Sequence, residues 1–186
     1  MATFLATASG KLSDMMEGGK VRKTEEEMDK ILVQAQNFYQ ETAVQEGRGR
    51  FPGQDKYNMA VGGYTTELAL INDLENFEIF SDERGENWCS IFGIAHEEAP
   101  MPSGALFVND TIAAEDKCNA CAETRFAGHD DWQYKFGGNA LSSPFQDGHF
   151  IYVVIPGSGT GEDTEPPILY IADAENPKFL NKLLQF

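Results

Sequence analysis

The chain has 186 residues, of which 41% are hydrophobic and 11% aromatic, and its formal net charge at pH 7 is −16. This predicts a folded, soluble protein, because the chain can bury a sizeable core and no apolar run approaches the roughly 20 residues of a membrane span. Thirty acidic residues against fourteen basic ones exclude direct nucleic-acid binding through phosphate neutralisation and disfavour an anionic membrane surface.

The negative charge lies almost entirely in the second part of the chain. Residues 1–56 hold eight basic and nine acidic residues, whereas residues 57–186 hold six basic and twenty-one acidic ones. Such an acidic surface is often a solvated face that keeps a protein soluble. It can also meet a basic partner, or occupy a nucleic-acid-binding site on another protein, and charge alone does not separate these alternatives.

The N-terminal sequence predicts the cellular compartment. Phe4 and Leu5 are isolated apolar residues, and the basic cluster follows them, which is not the order of a secretory signal. Three cysteines in a chain of this length do not make a disulfide framework. We therefore expect the protein in the cytoplasm, or in a particle assembled there.

The first elements in the chain are an arm and a helix. Residues 1–23 are small, polar and glycine-bearing, which is typical of an N-terminal arm. Thr24 and Glu27 form a capping box that predicts a helix start and opens the single domain expected over 24–186. Gly47 should end this helix. Its apolar face is predicted to comprise Met28, Ile31, Leu32, Ala35, Phe38, Tyr39 and Ala43.

A loop-rich passage follows the helix, from Gly47 to Gly63. It contains Arg48, Arg50 and Phe51, which form the one locally basic and aromatic loop of the chain. Two interpretations are open: an ordinary solvated turn, or a surface that contacts a partner. We predict that these three residues, together with the N-terminal arm, contact a partner.

The next predicted elements are a helix and a hairpin. Thr65 or Thr66 should cap a second helix that ends near Phe77. Apolar residues occupy most of the circumference of this predicted helix, so we expect it to be largely buried. Residues 77–80 and 88–95 are rich in aromatic and β-branched residues and flank a charged loop, which indicates a hairpin.

The remaining elements predict an α+β fold. The expected elements are strands at 105–108, 132–136, 149–155 and 168–172, a helix at 112–127, and a closing helix after Asn176 with Pro177 in its first turn. The two clearest strands are joined by a connection too short for a parallel crossover. The sequence therefore predicts a mainly antiparallel sheet flanked by three to four helices.

One cysteine pair has the spacing of a metal site. Cys118 and Cys121 would need Cys89 and His129 to complete a four-ligand zinc site, and the spacings are not those of a standard zinc motif. On the predicted helix, the pair instead shares one face with small residues, so buried packing is the competing explanation. We expect no cofactor, with zinc as the alternative.

Other polar motifs point only weakly to catalysis. Residues 96–98 and 129–131 each place a histidine beside two acids, but neighbouring residues on a strand point to opposite faces. The glycine-rich run 156–161 lacks the lysine and the following helix of a phosphate-binding loop. It is better explained as a flexible connection between strands.

These observations favour a non-catalytic protein. The leading hypothesis is an interaction or assembly subunit, a component of a virion or a multi-subunit complex, with a strongly acidic surface. Its partner would be a protein, basic in charge, or a second copy of the chain. The alternative is an acidic inhibitor that occupies a basic site on another protein. A small metal-dependent enzyme is the third hypothesis.

Overall fold

The computed structural model describes residues 3–6, 18–54, 56–78, 87–92, 126–138, 141, 143–145 and 150–186. Within these residues the protein combines α-helices with an antiparallel sheet, so the α+β class is confirmed. In chain order the elements are β1 (Thr3–Ala6), α1 (Gly18–Glu46), α2 (Glu67–Leu74), β2 (Cys89–Ser90), α3 (Phe126–Phe136), β3 (Phe150–Ile155), a 3₁₀ turn (Gly161–Asp163), β4 (Ile168–Asp173) and β5 (Asn181–Gln185).

The described strands form one sheet in the order β1-β5-β4-β3-β2, and every neighbouring pair is antiparallel. The register places Tyr152 of β3 opposite Ile171 of β4, which in turn lies opposite Lys182 of β5. Strands β3 and β4 are the two that the sequence predicts most clearly, and both are confirmed with their antiparallel pairing. The aromatic and β-branched residues of these strands favour the extended backbone.

Both faces of the sheet are covered by apolar side chains, which explains the continuous hydrophobic runs of β3 and β4. Alternate residues point to opposite faces, so each strand contributes to two clusters. One cluster joins α1 and α3 to the sheet: Met28, Ile31, Leu32, Ala35, Trp132, Phe150, Tyr152, Val154, Leu169, Ile171 and Leu184. The other joins α2 to the opposite face: Leu70, Leu74, Ile151, Val153, Ile155, Tyr170, Ala172 and Leu183.

Helix α1 begins earlier than the capping box predicts. It starts at Gly18, and Thr24 lies inside it, fully buried, with its Oγ1 donating to the backbone oxygen of Lys20 at 2.9 Å. The side chain of Val21 is also buried, so the apolar face extends one turn further towards the N-terminus. The predicted end is confirmed: Gly47 has a φ of +86°, a conformation that glycine adopts without strain.

Helix α2 confirms one prediction and corrects another. Thr66 is its N-cap, and its side chain accepts a hydrogen bond from the backbone N–H of Ala69. The expectation that the helix is largely buried is wrong, because Leu68 is 70% exposed and Ile71 is 40% exposed. Only the side chains of Leu70 and Leu74 in this helix are buried, so the helix contacts the sheet with one face.

The predicted closing helix after Asn176 is wrong, because residues 181–185 form strand β5. This strand pairs with β4 on one side and with β1 on the other. Leu183 and Leu184 are both buried, one on each face of the sheet. Two adjacent apolar residues suit a helical stripe as well as a strand covered on both faces, so their spacing alone does not decide between them.

The predicted strand at 132–136 is also wrong, because these residues belong to α3. Trp132 and Phe136, four residues apart, share a helix face and both pack against the core cluster of α1. Tyr134, which would share a face with both residues in a strand, instead points away from the core and is 71% exposed.

Other predictions fall partly within the described residues. Both β1 and the first turn of α1 lie within residues 1–23, the predicted polar arm, so part of this range belongs to regular elements. Of the strand predicted at 88–95, Cys89–Ser90 form β2, which pairs with β3, and residues 93–95 lie outside the described residues. The strand predicted at 105–108 and most of the helix predicted at 112–127 lie outside the described residues.

The length and composition of the helices indicate whether they could span a membrane. Helix α1 has 29 residues, which is long enough to cross a bilayer, but charged residues occur along its whole length. In the described part of the chain, no helix combines the length and the apolar character of a membrane span.

Candidate functional site

Two loops that are far apart in the sequence meet beside the end of α1. The Tyr57 hydroxyl donates to the backbone oxygen of Gly159 at 2.5 Å, and the N–H of Gly157 donates to the backbone oxygen of Tyr57 at 2.9 Å. A Cβ at position 157 would lie 2.6 Å from the backbone oxygen of Glu165, so only glycine fits this approach. The contacts of Gly157 and Gly159 with Tyr57 thus hold the two loops together.

A surface cleft lies at this meeting point. It has a volume of about 400 Å³ and is lined by Glu46, Gly47, Arg48, Lys56 and Tyr57. We call it the Arg48 cleft. It includes one residue of the predicted contact loop, and Arg48 links it to the glycine-rich connection.

Arg48 is held in place by both loops. Its guanidinium carbon lies 4.9 Å from the centre of the Tyr57 ring, a cation–π arrangement. Its Nη1 donates to Thr164 Oγ1 at 2.5 Å. The residue is exposed, and a guanidinium carries several N–H donors, so donors remain for an external group.

The cations of the cleft differ from most others in the described part of the chain. Neither Arg48 nor Lys56 forms an ion pair with a carboxylate among the described residues, and both carboxylate oxygens of Glu46 accept from Arg50. The basic residues that do pair with described carboxylates are Lys23, Lys30, Arg50, Lys135, Lys178 and Lys182. The cleft therefore presents positive charge on a strongly acidic protein.

Arg50, the second residue of the predicted contact loop, holds elements of the fold together. Besides its bonds to Glu46, its Nη1 donates to the backbone oxygen of Gln54 at 2.8 Å and lies 3.7 Å from Asp131 Oδ2 of α3. Its guanidinium also stacks on Phe38. These contacts join the end of α1, the following loop and α3.

Phe51, the third predicted contact residue, is fully buried. Its ring centre lies 5.2 Å from that of Tyr39 and 6.2 Å from that of Phe186, and its N–H donates to Gln54 Oε1 at 2.8 Å. The side chain belongs to the core, so its prediction as a surface contact is corrected. Of the three residues, only Arg48 lies in the cleft.

Arg50 and Arg48 should differ in their effects on stability. Replacing Arg50 with methionine should lower the free energy of unfolding by about 1–3 kcal/mol, because it removes several charge-assisted hydrogen bonds around a partly buried guanidinium. Replacing the exposed Arg48 with methionine should cost less than about 1 kcal/mol. Urea unfolding of both variants measures the difference, and equal losses would contradict these assignments.

The zinc candidates are only partly described. Cys89 lies in β2, buried and with a free thiol, whereas Cys118 and Cys121 lie outside the described residues. His129 falls in α3, in a stretch where only the backbone is described. Among the described residues no three potential ligands come together, and the zinc site stays a prediction.

A second polar cluster is buried at the end of strand β4. Asp173 at the end of β4 is fully buried, and its Oδ2 accepts from Ser143 Oγ at 2.5 Å while its Oδ1 accepts from the N–H of Glu175 at 3.0 Å. Burial raises the pKa of the Asp173 carboxyl to about 7, although the Ser143 and backbone hydrogen bonds lower it. The sequence does not point to this pair, because thirty residues separate its members.

Comparison with known proteins gives a negative result. No protein-family model, curated protein or solved structure matches the chain. The chemistry of the Arg48 cleft is therefore derived from its own side chains. Its lining residues supply positive charge and hydrogen-bond donors, while Glu46 and the Tyr57 hydroxyl are already hydrogen-bonded within the protein. This arrangement is suited to binding an anionic group.

The sequence does not identify Lys56, Tyr57 or Thr164 as residues of the site. Lys56 is one of the three basic residues of the loop-rich passage, with Arg48 and Arg50, but no local pattern pairs it with Arg48. Thr164 lies more than one hundred residues from Arg48, so no local pattern connects the two. The contact depends on the close packing of the glycine-rich connection against Tyr57.

Proposed function

We propose that the protein is a non-catalytic interaction or assembly subunit, a component of a multi-subunit complex or a virion, which contacts a protein partner through the Arg48 cleft. The observation that carries this proposal is the pair of cations, Arg48 and Lys56, without a carboxylate partner among the described residues of a chain with a net charge of −16. The protein would form a single domain that includes strand β1 and the whole of helix α1, and it would act in the cytoplasm or in a particle assembled there.

Electrostatic complementarity supports a protein as the partner. A cationic cleft on an otherwise acidic surface offers both signs of charge, and complementary patches fix the orientation of two proteins. The acidic surface favours a basic partner, while the cleft accepts an acidic group of that partner. A second copy of the chain also meets both requirements, so self-association is included in the proposal.

The alternative function, an acidic inhibitor, is supported by the net negative charge of the chain. Glu162 and Asp163 are exposed in the 3₁₀ turn beside the cleft, and they add to the acidic surface. An inhibitor held mainly by that surface should lose affinity steeply as salt rises, because screening shortens the range of exposed charges. Such an inhibitor should keep its affinity when Arg48 and Lys56 are replaced, whereas a subunit that binds through the Arg48 cleft should lose it.

Native mass spectrometry at micromolar concentration tests the proposed function. A subunit that self-associates should appear at multiples of 20.6 kDa, and one with another protein partner should co-purify with it in a fixed ratio from its natural source. Replacing Arg48 and Lys56 together with glutamine should reduce the complex at least tenfold, since two charged contacts are lost.

The matched control carries Lys20→Gln and Arg22→Gln, which change the net charge equally but lie exposed on α1. This variant should keep the complex. A protein that remains a monomer and co-purifies with nothing would contradict the assembly function. Bound zinc on each chain would instead favour the metal-dependent enzyme, with Cys118 and Cys121 as the first residues to replace.

A further inference from the structure

We infer that the Arg48 cleft binds a single carboxylate group of a partner polypeptide, an inference that rests on the proposed function. The cleft has Arg48 and Lys56 in its lining and a volume of about 400 Å³. That volume lies in the range of small-ligand sites, so it accommodates a short segment of a partner. Its two cations require that the group they bind be an anion.

The positive charge of the cleft is available to a ligand. Glu46 is the acidic residue in the lining, and its oxygens accept from Arg50 Nε at 2.9 Å and from Arg50 Nη2 at 3.1 Å. Those bonds neutralise Glu46 with a cation that does not line the cleft. Arg48 and Lys56 thus keep their charge for an external group.

The arginine is also oriented before any ligand binds. Its guanidinium stacks on Tyr57 and donates to Thr164, and Tyr57 itself is fixed by hydrogen bonds to the glycine-rich connection. Prior orientation lowers the entropic cost of binding. A planar guanidinium pairs with a carboxylate through two parallel hydrogen bonds, a geometry that a lysine ammonium does not provide.

The surrounding charge favours a carboxylate over more highly charged anions. The chain carries a net charge of −16, and Glu162 and Asp163 lie directly before Thr164 in the 3₁₀ turn. A phosphate group bears about −1.5 to −2 at pH 7, and a nucleic acid bears many such groups, so the protein repels both more strongly than a single carboxylate. The two cations of the cleft, Arg48 and Lys56, are enough to neutralise a single carboxylate.

A titration followed by NMR tests this inference with defined peptides. Acetyl-Gly-Glu-Gly-amide carries one side-chain carboxylate, and acetyl-triglycine carries one terminal carboxylate. At least one of them should shift the signals of Arg48, Lys56, Tyr57 and Thr164, and the stronger binder tells a side-chain ligand from a chain terminus. The uncharged acetyl-Gly-Gln-Gly-amide should leave these signals unchanged.

Charge-matched variants separate a specific site from general attraction. Arg48→Gln should weaken peptide binding about tenfold or more, because a charge-assisted pair is lost. Arg48→Lys keeps the charge and should still weaken binding, because the two parallel hydrogen bonds are lost. Arg22→Gln removes an exposed charge from α1 and should change the affinity by less than about twofold.

Three results would overturn the inference: no peptide shifts the cleft signals, inorganic phosphate alone shifts them, or Arg22→Gln weakens binding as much as Arg48→Gln. Its failure is distinguishable from failure of the proposed function. A complex that persists in native mass spectrometry while no peptide binds the cleft would overturn only the carboxylate site. A protein that binds the peptide but forms no complex would overturn only the assembly function.

Discussion

Replacing Trp132 with alanine should lower the free energy of unfolding by about 3–5 kcal/mol. The Trp132 side chain is fully buried, and its ring meets that of Tyr152 edge to face at a centre distance of 5.4 Å. It joins α3 to the face of the sheet that α1 also covers. Alanine would leave a cavity between these elements that close-packed neighbours fill only in part.

The matched control for this variant is Tyr134→Ala, two residues further along α3. Tyr134 is 71% exposed, so its removal should cost less than about 1 kcal/mol. The contrast also tests the helix, because residues 132 and 134 would share one face of a strand but point in different directions on a helix. Equal losses in urea unfolding, measured with both variants, would contradict the helical assignment.

The buried Asp173 should make stability fall as pH rises from about 4 to about 7. Its pKa is raised from 3.8 to about 7, mainly by burial, so in this window the folded state holds a proton that the unfolded state has released. The contribution of the neutral carboxyl is fully present below the unfolded pKa and is lost as pH rises through the folded pKa. Across this window the free energy of unfolding should fall by up to about 4 kcal/mol, at about 1.4 kcal/mol per pH unit.

Variants at this cluster isolate the effect. The stability of the wild-type protein relative to Asp173→Asn should fall between pH 5 and pH 7, because other titrating groups are common to both proteins. Ser143→Ala removes a hydrogen bond that lowers the Asp173 pKa, so it should move the window to higher pH. Urea unfolding across this range measures both effects. A constant difference between wild type and Asp173→Asn would show that Asp173 does not titrate in this window.

Much of the fold is predictable where the local pattern permits one interpretation. The runs that become β3 and β4 are too short for helices and rich in β-branched residues. Thr66 is a good N-cap, and Gly47 adopts the positive φ typical of a helix end. These features depend on neighbours in the chain, so the sequence indicates them directly.

Other elements were mispredicted because the same pattern suits two structures. Leu183 and Leu184 fit a helical stripe, but a sheet covered on both faces also buries two adjacent residues. Trp132 and Phe136 fit an alternating strand as well as one face of a helix. Which structure forms depends on what packs against the segment, and periodicity contains no information about that.

The Arg48 cleft also has some features that local sequence predicts and others that depend on tertiary contacts. The acidic charge, the α+β class and the basic loop with Arg48 can be predicted from the amino-acid sequence. The burial of Phe51, the ion pair of Arg50 with Glu46 and the hydrogen bond of Arg48 to Thr164 cannot be predicted in this way. Composition and local pattern follow from neighbouring residues, whereas pairing and burial follow from contacts between distant segments, which form only when the sheet and its helices pack together.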